Sequence, residues 1–461
     1  MQRRVGAVDL LRGLAIVGMV LSGQMLWHGE LPRWMFHAQV PPPAFVFDPS
    51  VAGITWVDLV FPFFLFSMGA ALPFALRKKE GVSGWTILRG GVHRWLWLTV
   101  FAVALGNTGL EHLSTWKPWV ASLMTLVVWG LFFVAFVRLP DMDARRNRWM
   151  NWCGLGALIG YTALQSLWGV EVDLLRTNII ILILANMALF GTMIWWWTRS
   201  HIAWRGVIIA GIAVWHLSGQ VEGSWTQDLL RMTGDEGLIR FEFLKYLSIL
   251  LPGSIAGDVI YDMIHQGTRV EREQNTRVGA VAGILAVMFC GVMCGLYLRE
   301  LWAVVLVVAV GSCVVGGLLQ GLTTADAQML RRLMTLSVVW MVVGLLAEPL
   351  EGGIKKDPAT VGYFFITSAL ALWVVMMAWI AERHFGSRLK WIESTGENPM
   401  MAYTAAGHLL MPIVTLVGLA PQVAQWSAAS PWCGVARGVA MCGLVVGVTV
   451  AFSRKKIVWK S

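Results

Sequence analysis

Charge is scarce in this chain. Of its 461 residues, 36 are Lys or Arg and 27 Asp or Glu, so charged side chains make up 14% against 57% hydrophobic. That leaves too little polar surface to cover a soluble core, which excludes an ordinary globular protein of two or three domains. The sequence also lacks a P-loop, a GxSxG elbow, an HExxH helix and a twin CxxC, so no motif speaks for phosphate transfer, serine hydrolysis or zinc. Cysteine is sparse: six residues, all in or beside apolar stretches where thiols behave as small hydrophobes. No structural disulfide is expected. Cys290 and Cys294 can share a helix face, but without a neighbouring histidine or third cysteine they predict no metal site. A basic face is missing too: the formal charge of +9 is spread in short runs between apolar segments, so no nucleic-acid partner is expected.

What is present is hydrophobic length. Mean hydropathy is +0.65 and there are 26 tryptophans, the residue that favours the headgroup region of a bilayer. Apolar segments of spanning length fall at about 8–27, 55–76, 91–107, 118–137, 149–168, 178–197, 204–220, 244–262, 278–298, 300–319, 332–348, 361–381, 398–419 and 432–453. They predict an all-α, polytopic integral membrane bundle of about fourteen helices (range ten to fourteen), with residues 1–461 as a single domain. The segment at 204–220 is the shortest, and almost no loop joins the pair flanking Arg299. Most lysines and arginines fall in alternate loops, which by the positive-inside rule places both termini in the cytoplasm. The first apolar stretch is too long for a signal peptide and lacks a small-residue cleavage site, so it is expected to remain as a span. The long polar segments 28–54 and 221–243 then lie outside as candidate binding loops.

Ionisable groups within spans are costly enough to be functional candidates. They are Asp9 and Arg12 in the first span, Asp58 in the second, Asp258 and Asp262 in the eighth, His408 in the thirteenth and Arg437 in the last. Asp9 and Arg12, three apart, can simply pair with each other. His408 has the bland reading of a packed, satisfied core histidine. His37, in Trp34-Met35-Phe36-His37-Ala38, reads by itself as an interfacial loop histidine.

The opening VDLLRGLAIVGMVL, then MFHA, then GITWVDLVFPFFLFSMG resembles the catalytic region of the transmembrane heparan-α-glucosaminide N-acetyltransferase family and its bacterial relatives. Two later stretches are similar as well: Lys355-Lys356 through ATVGYFFITSALAL, and GENPMMAYTAAGH. The likeness covers the first eighty residues well and about 350–415 moderately. The chain departs from the family in a longer proline-rich stretch between His37 and Asp58. Gly23-Gln24 stands where relatives carry asparagine, and the family's leucine-glutamine-arginine segment is not evident. The predicted span count exceeds the family's usual ten or eleven, which marks a divergent branch.

This resemblance implies an acetyltransferase that takes acetyl-CoA from the cytosol and delivers the acetyl group to an amino sugar or glycan outside, by N- or O-acetylation. It implies His37 as general base or acyl acceptor, because an imidazole is partly neutral near pH 7. Asp58 would orient it, Gln24 or Asn398 would donate to an oxyanion, and His408 would be the family's late histidine. Arg12, Arg77, Lys78 and Lys79, with Arg89 and Arg94 nearby, are candidate contacts for the charged end of CoA. Trp34, Lys355 and Lys356 are candidate acceptor contacts, and Trp27, Trp116 and Trp225 are further aromatics on the same side. The implied setting is a bacterial inner membrane, with acetyl-CoA, the acceptor and lipid as partners, a homodimer left open, and no metal. A secondary transporter and a non-catalytic membrane scaffold are the rival classes. Pro62, Pro252 and Pro399 interrupt spans, as transporters often require, but no corresponding pair of broken spans recurs in two halves.

Overall fold

A computed structural model describes residues 5–25, 30–77, 81–234, 236–265 and 276–460. The chain is an all-α bundle, and each of the fourteen apolar segments is helical. In order they are α1 (Gly6–Gln24), α2 (Trp56–Leu76), α3 (Gly84–Asn107), α4 (Pro118–Phe136), α5 (Ala144–Leu167), α6 (Ile179–Thr198) and α7 (Ile202–Ser218). After a short α8 (Trp225–Arg231) come α9 (Leu247–His265), α10 (Thr276–Leu298), α11 (Leu301–Leu319), α12 (Ala325–Ala347) and α13 (Val361–Arg383). The chain closes with α14 (Lys390–Glu397), α15 (Pro399–Thr404), a π-helical turn (Ala405–Leu410), α16 (Met411–Leu416), α17 (Ala420–Ala428) and α18 (Pro431–Arg454).

Among the described residues eleven helices are long and apolar enough to cross a membrane, making this a multi-pass membrane protein. The other three segments fall short for visible reasons. Helix α7 has 17 residues. Helices α3 and α5 have 24 each but carry Arg89, His93 and Arg94, or Arg145, Arg146 and Arg148. Starts are set by local chemistry: Thr55, Asn178, Thr324, Thr360 and Ser430 each accept a first-turn backbone N–H at the head of α2, α6, α12, α13 and α18.

Helices α2, α9 and α13 form the centre, with 72%, 78% and 83% of their spans buried, whereas α10 and α11 reach only 33% and 22%. The α2–α9 crossing depends on glycine. A Cβ at Gly253 or Gly257 would strike the α2 backbone at Phe66 or Ala70, the small-residue packing by which membrane helices approach without a hydrophobic driving force. Gly253 faces Phe66 and Gly257 faces Ala70, so α9 runs parallel to α2.

Two strand residues, Val137–Arg138, pair antiparallel with Val458–Trp459 and fasten the C-terminal tail beneath α4. Helix α14 packs at the Gly6 end of α1, where a Cβ at Gly396 would meet the backbone of Asp9 and Gly13. The tail is therefore at the opposite end of the bundle from the loop that follows Gln24.

Candidate active site

The site starts from a helix cap. Thr55 precedes α2 and, with Asp58 three residues on, forms a capping box: the Thr55 N–H donates to Asp58 Oδ2 at 2.8 Å. The Thr55 hydroxyl donates instead to the Phe36 carbonyl at 2.7 Å, which draws the 30–40 loop over the start of α2. That places the next residue, His37, with Nδ1 at 2.6 Å from Asp58 Oδ1, while the Ala38 N–H donates to Asp58 Oδ2 at 3.2 Å. The Asp58 side chain is fully buried. Such a carboxylate, already holding two backbone N–H groups, takes the Nδ1 proton of His37 as a hydrogen bond and leaves Nε2 as the acceptor.

Lys356 faces that nitrogen, with Nζ 2.8 Å from His37 Nε2. Its loop leaves the short turn after α12 through Gly352 and Gly353, at φ +63° and +121°, values that a side chain disfavours. The Gly53 N–H donates to the Ile354 carbonyl at 2.8 Å, tying this loop to the one before α2. Burial pushes the Lys356 ammonium below the ordinary lysine range, against the pull of Asp58 and Asp357, which raise it. Asp58 and Lys356 therefore flank the imidazole at its two ring nitrogens.

Two residues that sequence reasoning passed over complete the site. Thr55 was legible as the first residue of a T-x-x-D capping pattern. Tyr363, in the first turn of α13, donates its hydroxyl to the Asp58 carbonyl at 2.6 Å. Its only sequence signal is a hydroxyl inside an apolar run.

A cavity of about 1030 Å³ lies between α1, α2, α3, α6, α9 and α15. At the Gly6 end its wall is polar, with Asp9, Arg12, Arg94, His265, Glu397 and Lys460. Toward the other end it becomes apolar and finishes among Met19, Val60, Phe61 and Ile180. Phe61 is one helical turn from Asp58.

The remaining candidates are elsewhere. Asn398 sits at the opposite end of the bundle and is consumed by the tail: its Nδ2 donates to the Ile457 carbonyl and its Oδ1 accepts from the Trp459 N–H. A 19-residue α1 separates it from His37 by about 28 Å, so it is no oxyanion donor to that imidazole. His408, in the π-helical turn, has Nε2 at 3.2 Å from the Thr108 carbonyl and its ring edge-on to Phe132. Gln24 ends α1, its carbonyl accepting from Arg437 at 3.2 Å; its side chain forms no hydrogen bond with the triad. Arg12 lines the polar end of the cavity and lies 3.5 Å from Asp9.

Arg77 is not among the cavity-lining residues. It is bound by Asp258 at 2.7 Å and Asp262 at 2.6 Å, and Asp258 also pairs with the buried Arg205 at 2.6 Å. That cluster spends the charge that the sequence offered for a nucleotide. Lys78, Lys79 and Trp27 lie outside the described residues. Trp34 is 52% exposed, and Lys355 holds the Thr360 cap through its backbone rather than approaching His37. All six cysteines are free. Among the described residues no group of three or more His, Cys, Asp or Glu is placed to hold a metal ion.

No curated protein matches this sequence. Residues 4–260 match DUF5009, a family described as a domain of unknown function. The matched region contains His37, Asp58, Arg77, Arg205 and Asp258, and ends before Asp262 and Lys356. With more than half of its length matched, the chain belongs to the DUF5009 family.

Proposed function

We propose that this protein is a transmembrane acetyltransferase: acetyl-CoA enters the large cavity from the cytosol, and the acetyl group passes to an amine or hydroxyl of a sugar acceptor at the His37 site on the outer face. The observation that carries the reading is the cavity, which runs from a charged mouth through an apolar throat to within one turn of the His37–Asp58 pair. An orientation with both termini inside, which the alternation of basic loops favours, would put Arg12, Arg94 and Lys460 on the cytosolic side, where a nucleotide carrying phosphates would meet them. The setting is a bacterial inner membrane.

In the transfer, the acceptor's nucleophile attacks the thioester carbonyl while His37 Nε2 takes its proton. Asp58 holds the Nδ1–H and stabilises the imidazolium that forms. Lys356, displaced from Nε2 by the acceptor, is near enough to donate to the oxyanion of the tetrahedral intermediate. Collapse breaks the C–S bond, and the CoA thiolate leaves with the proton held by His37. The acetyl group ends on nitrogen or oxygen of the sugar, and the enzyme returns to its starting protonation.

The test is thiol release from acetyl-CoA by purified protein in nanodiscs, with glucosamine as acceptor. Release above background that disappears in His37→Ala supports the reading. Uptake of the sugar into proteoliposomes without acetyl-CoA and without thiol release would replace it with transport.

A further inference from the structure

A second concavity of about 1020 Å³ lies on the other side of α1, between α1, α2, α10 and α13. Its middle is apolar: Leu10, Leu14, Leu59, Phe63, Phe289 and Met293 face it. Cys290 and Cys294, one turn apart on the exposed face of α10, also line it. Helix α10 packs on α11 and α13 rather than on α1, which leaves the groove between α1 and α10.

Its two ends differ. One is closed by Glu382, Arg388 and Glu393, where the arginine is ion-paired to both carboxylates and the group carries excess negative charge. The other is rimmed by Trp34, Thr55 and Trp56. Thr55 is the residue that caps Asp58 and holds the carbonyl preceding His37, so the rim and the site share a wall. Exposed Arg33 stands beside Trp34 and has no ion pair among the described residues.

From this geometry we infer that the acceptor is an amphiphile: its hydrocarbon chain lies in the α1–α10 groove, an anionic phosphate meets Arg33 at the tryptophan rim, and the sugar it carries reaches His37. The inference rests on the acetyltransferase reading. The ion-paired Glu382–Arg388–Glu393 end offers an anionic headgroup no free cation among its lining residues, whereas the tryptophan rim has the exposed Arg33 next to Trp34, which orients the molecule. A tail leaving the bilayer for this groove gains packing only, since lipid is as apolar as the groove wall. Selectivity must then come from the headgroup, through Arg33. Tethering holds the sugar beside the site and raises its effective concentration.

The experiment compares glucosamine with farnesyl-phosphate-linked glucosamine as acceptors in nanodiscs, using wild type, Arg33→Gln and Cys294→Trp. The expected KM for the lipid-linked sugar is at least about tenfold below that for the free sugar. Either substitution should remove that advantage while leaving transfer to free glucosamine unchanged. Equal KM values in the wild type would overturn the lipid acceptor and leave the acetyltransferase standing. A second arm uses a farnesyl phosphate analogue bearing a chain diazirine on wild-type protein. Crosslinks concentrated on α1 and on α10 from Phe289 to Leu298 support the groove, and labelling spread evenly onto exposed α11 overturns it. Absence of thiol release with either acceptor defeats the acetyltransferase reading itself, and the crosslink pattern then decides the lipid site by itself.

Discussion

Lys356 Nζ lies 2.8 Å from His37 Nε2, although 319 residues separate them in the chain. An imidazole so placed has one nitrogen anchored by Asp58 and the other covered by the Lys356 amine, which an acceptor would have to displace in the proposed transfer. If Lys356 works as an ammonium, activity is present below its pKa and is lost as pH rises through it. Burial lowers that pKa, so the alkaline limb of kcat should lie below lysine's ordinary value of about 10.4. Lys356→Arg keeps its charge and should push this limb upward, while Lys356→Met should lose roughly a hundredfold in kcat. A pH–rate profile of thiol release checks both; an unshifted limb in the arginine variant would remove Lys356 from the mechanism.

The two histidines should separate cleanly. His37→Ala is expected to fold and insert, since its side chain is 24% exposed, yet to lose at least about a hundredfold in transfer. His408→Ala removes a half-buried ring that satisfies the Thr108 carbonyl, so its loss should show first as about 1–3 kcal/mol of stability. Thiol release and melting temperature in detergent are measured on both. A stable but inactive His408→Ala beside an active His37→Ala would mean that the site has been placed on the wrong histidine.

On the donor side, Arg12→Gln with Arg94→Gln should raise KM for acetyl-CoA several-fold with a smaller change in kcat, because a nucleotide contact is equal in ground and transition states. High salt should shrink the effect. Arg77→Gln should leave KM unchanged, its guanidinium being held by Asp258 and Asp262. Initial-rate kinetics at two ionic strengths decide; a KM effect confined to Arg77 would reverse the assignment.

Asp258 is the stability hinge of the α2–α7–α9 contact. Asp258→Ala strands Arg205, which is fully buried, and should cost about 3–5 kcal/mol. Asp262 is 38% exposed, so Asp262→Ala should stay within about 1 kcal/mol. Thermal unfolding in one detergent compares them, and equal losses would mean that Arg205 finds another partner.

The sequence alone determined what depends on composition and local spacing. Fourteen apolar runs became helices because a backbone in lipid must satisfy its own hydrogen bonds, and Thr55-x-x-Asp58 carries its cap within four residues. The pairing of His37 with Asp58 was within reach only through the family resemblance, because a proline-rich loop separates the two and spacing alone does not join them. The identity of the third member was decided by tertiary structure. Lys355 and Lys356 are adjacent and chemically alike, and the turn through Gly352 and Gly353 delivers only the second to His37. Asn398, Arg77 and Gln24 show the converse. Asn398 and Arg77 are residue types suited to catalysis or anion binding, and each is claimed by a distant partner, the backbone of the tail and the carboxylates of α9, whereas Gln24 is held at its backbone carbonyl by Arg437. Spacing along a chain reports what a residue can do within a turn or two. Which of its hydrogen bonds and charges remain available is settled by whatever the fold packs against it.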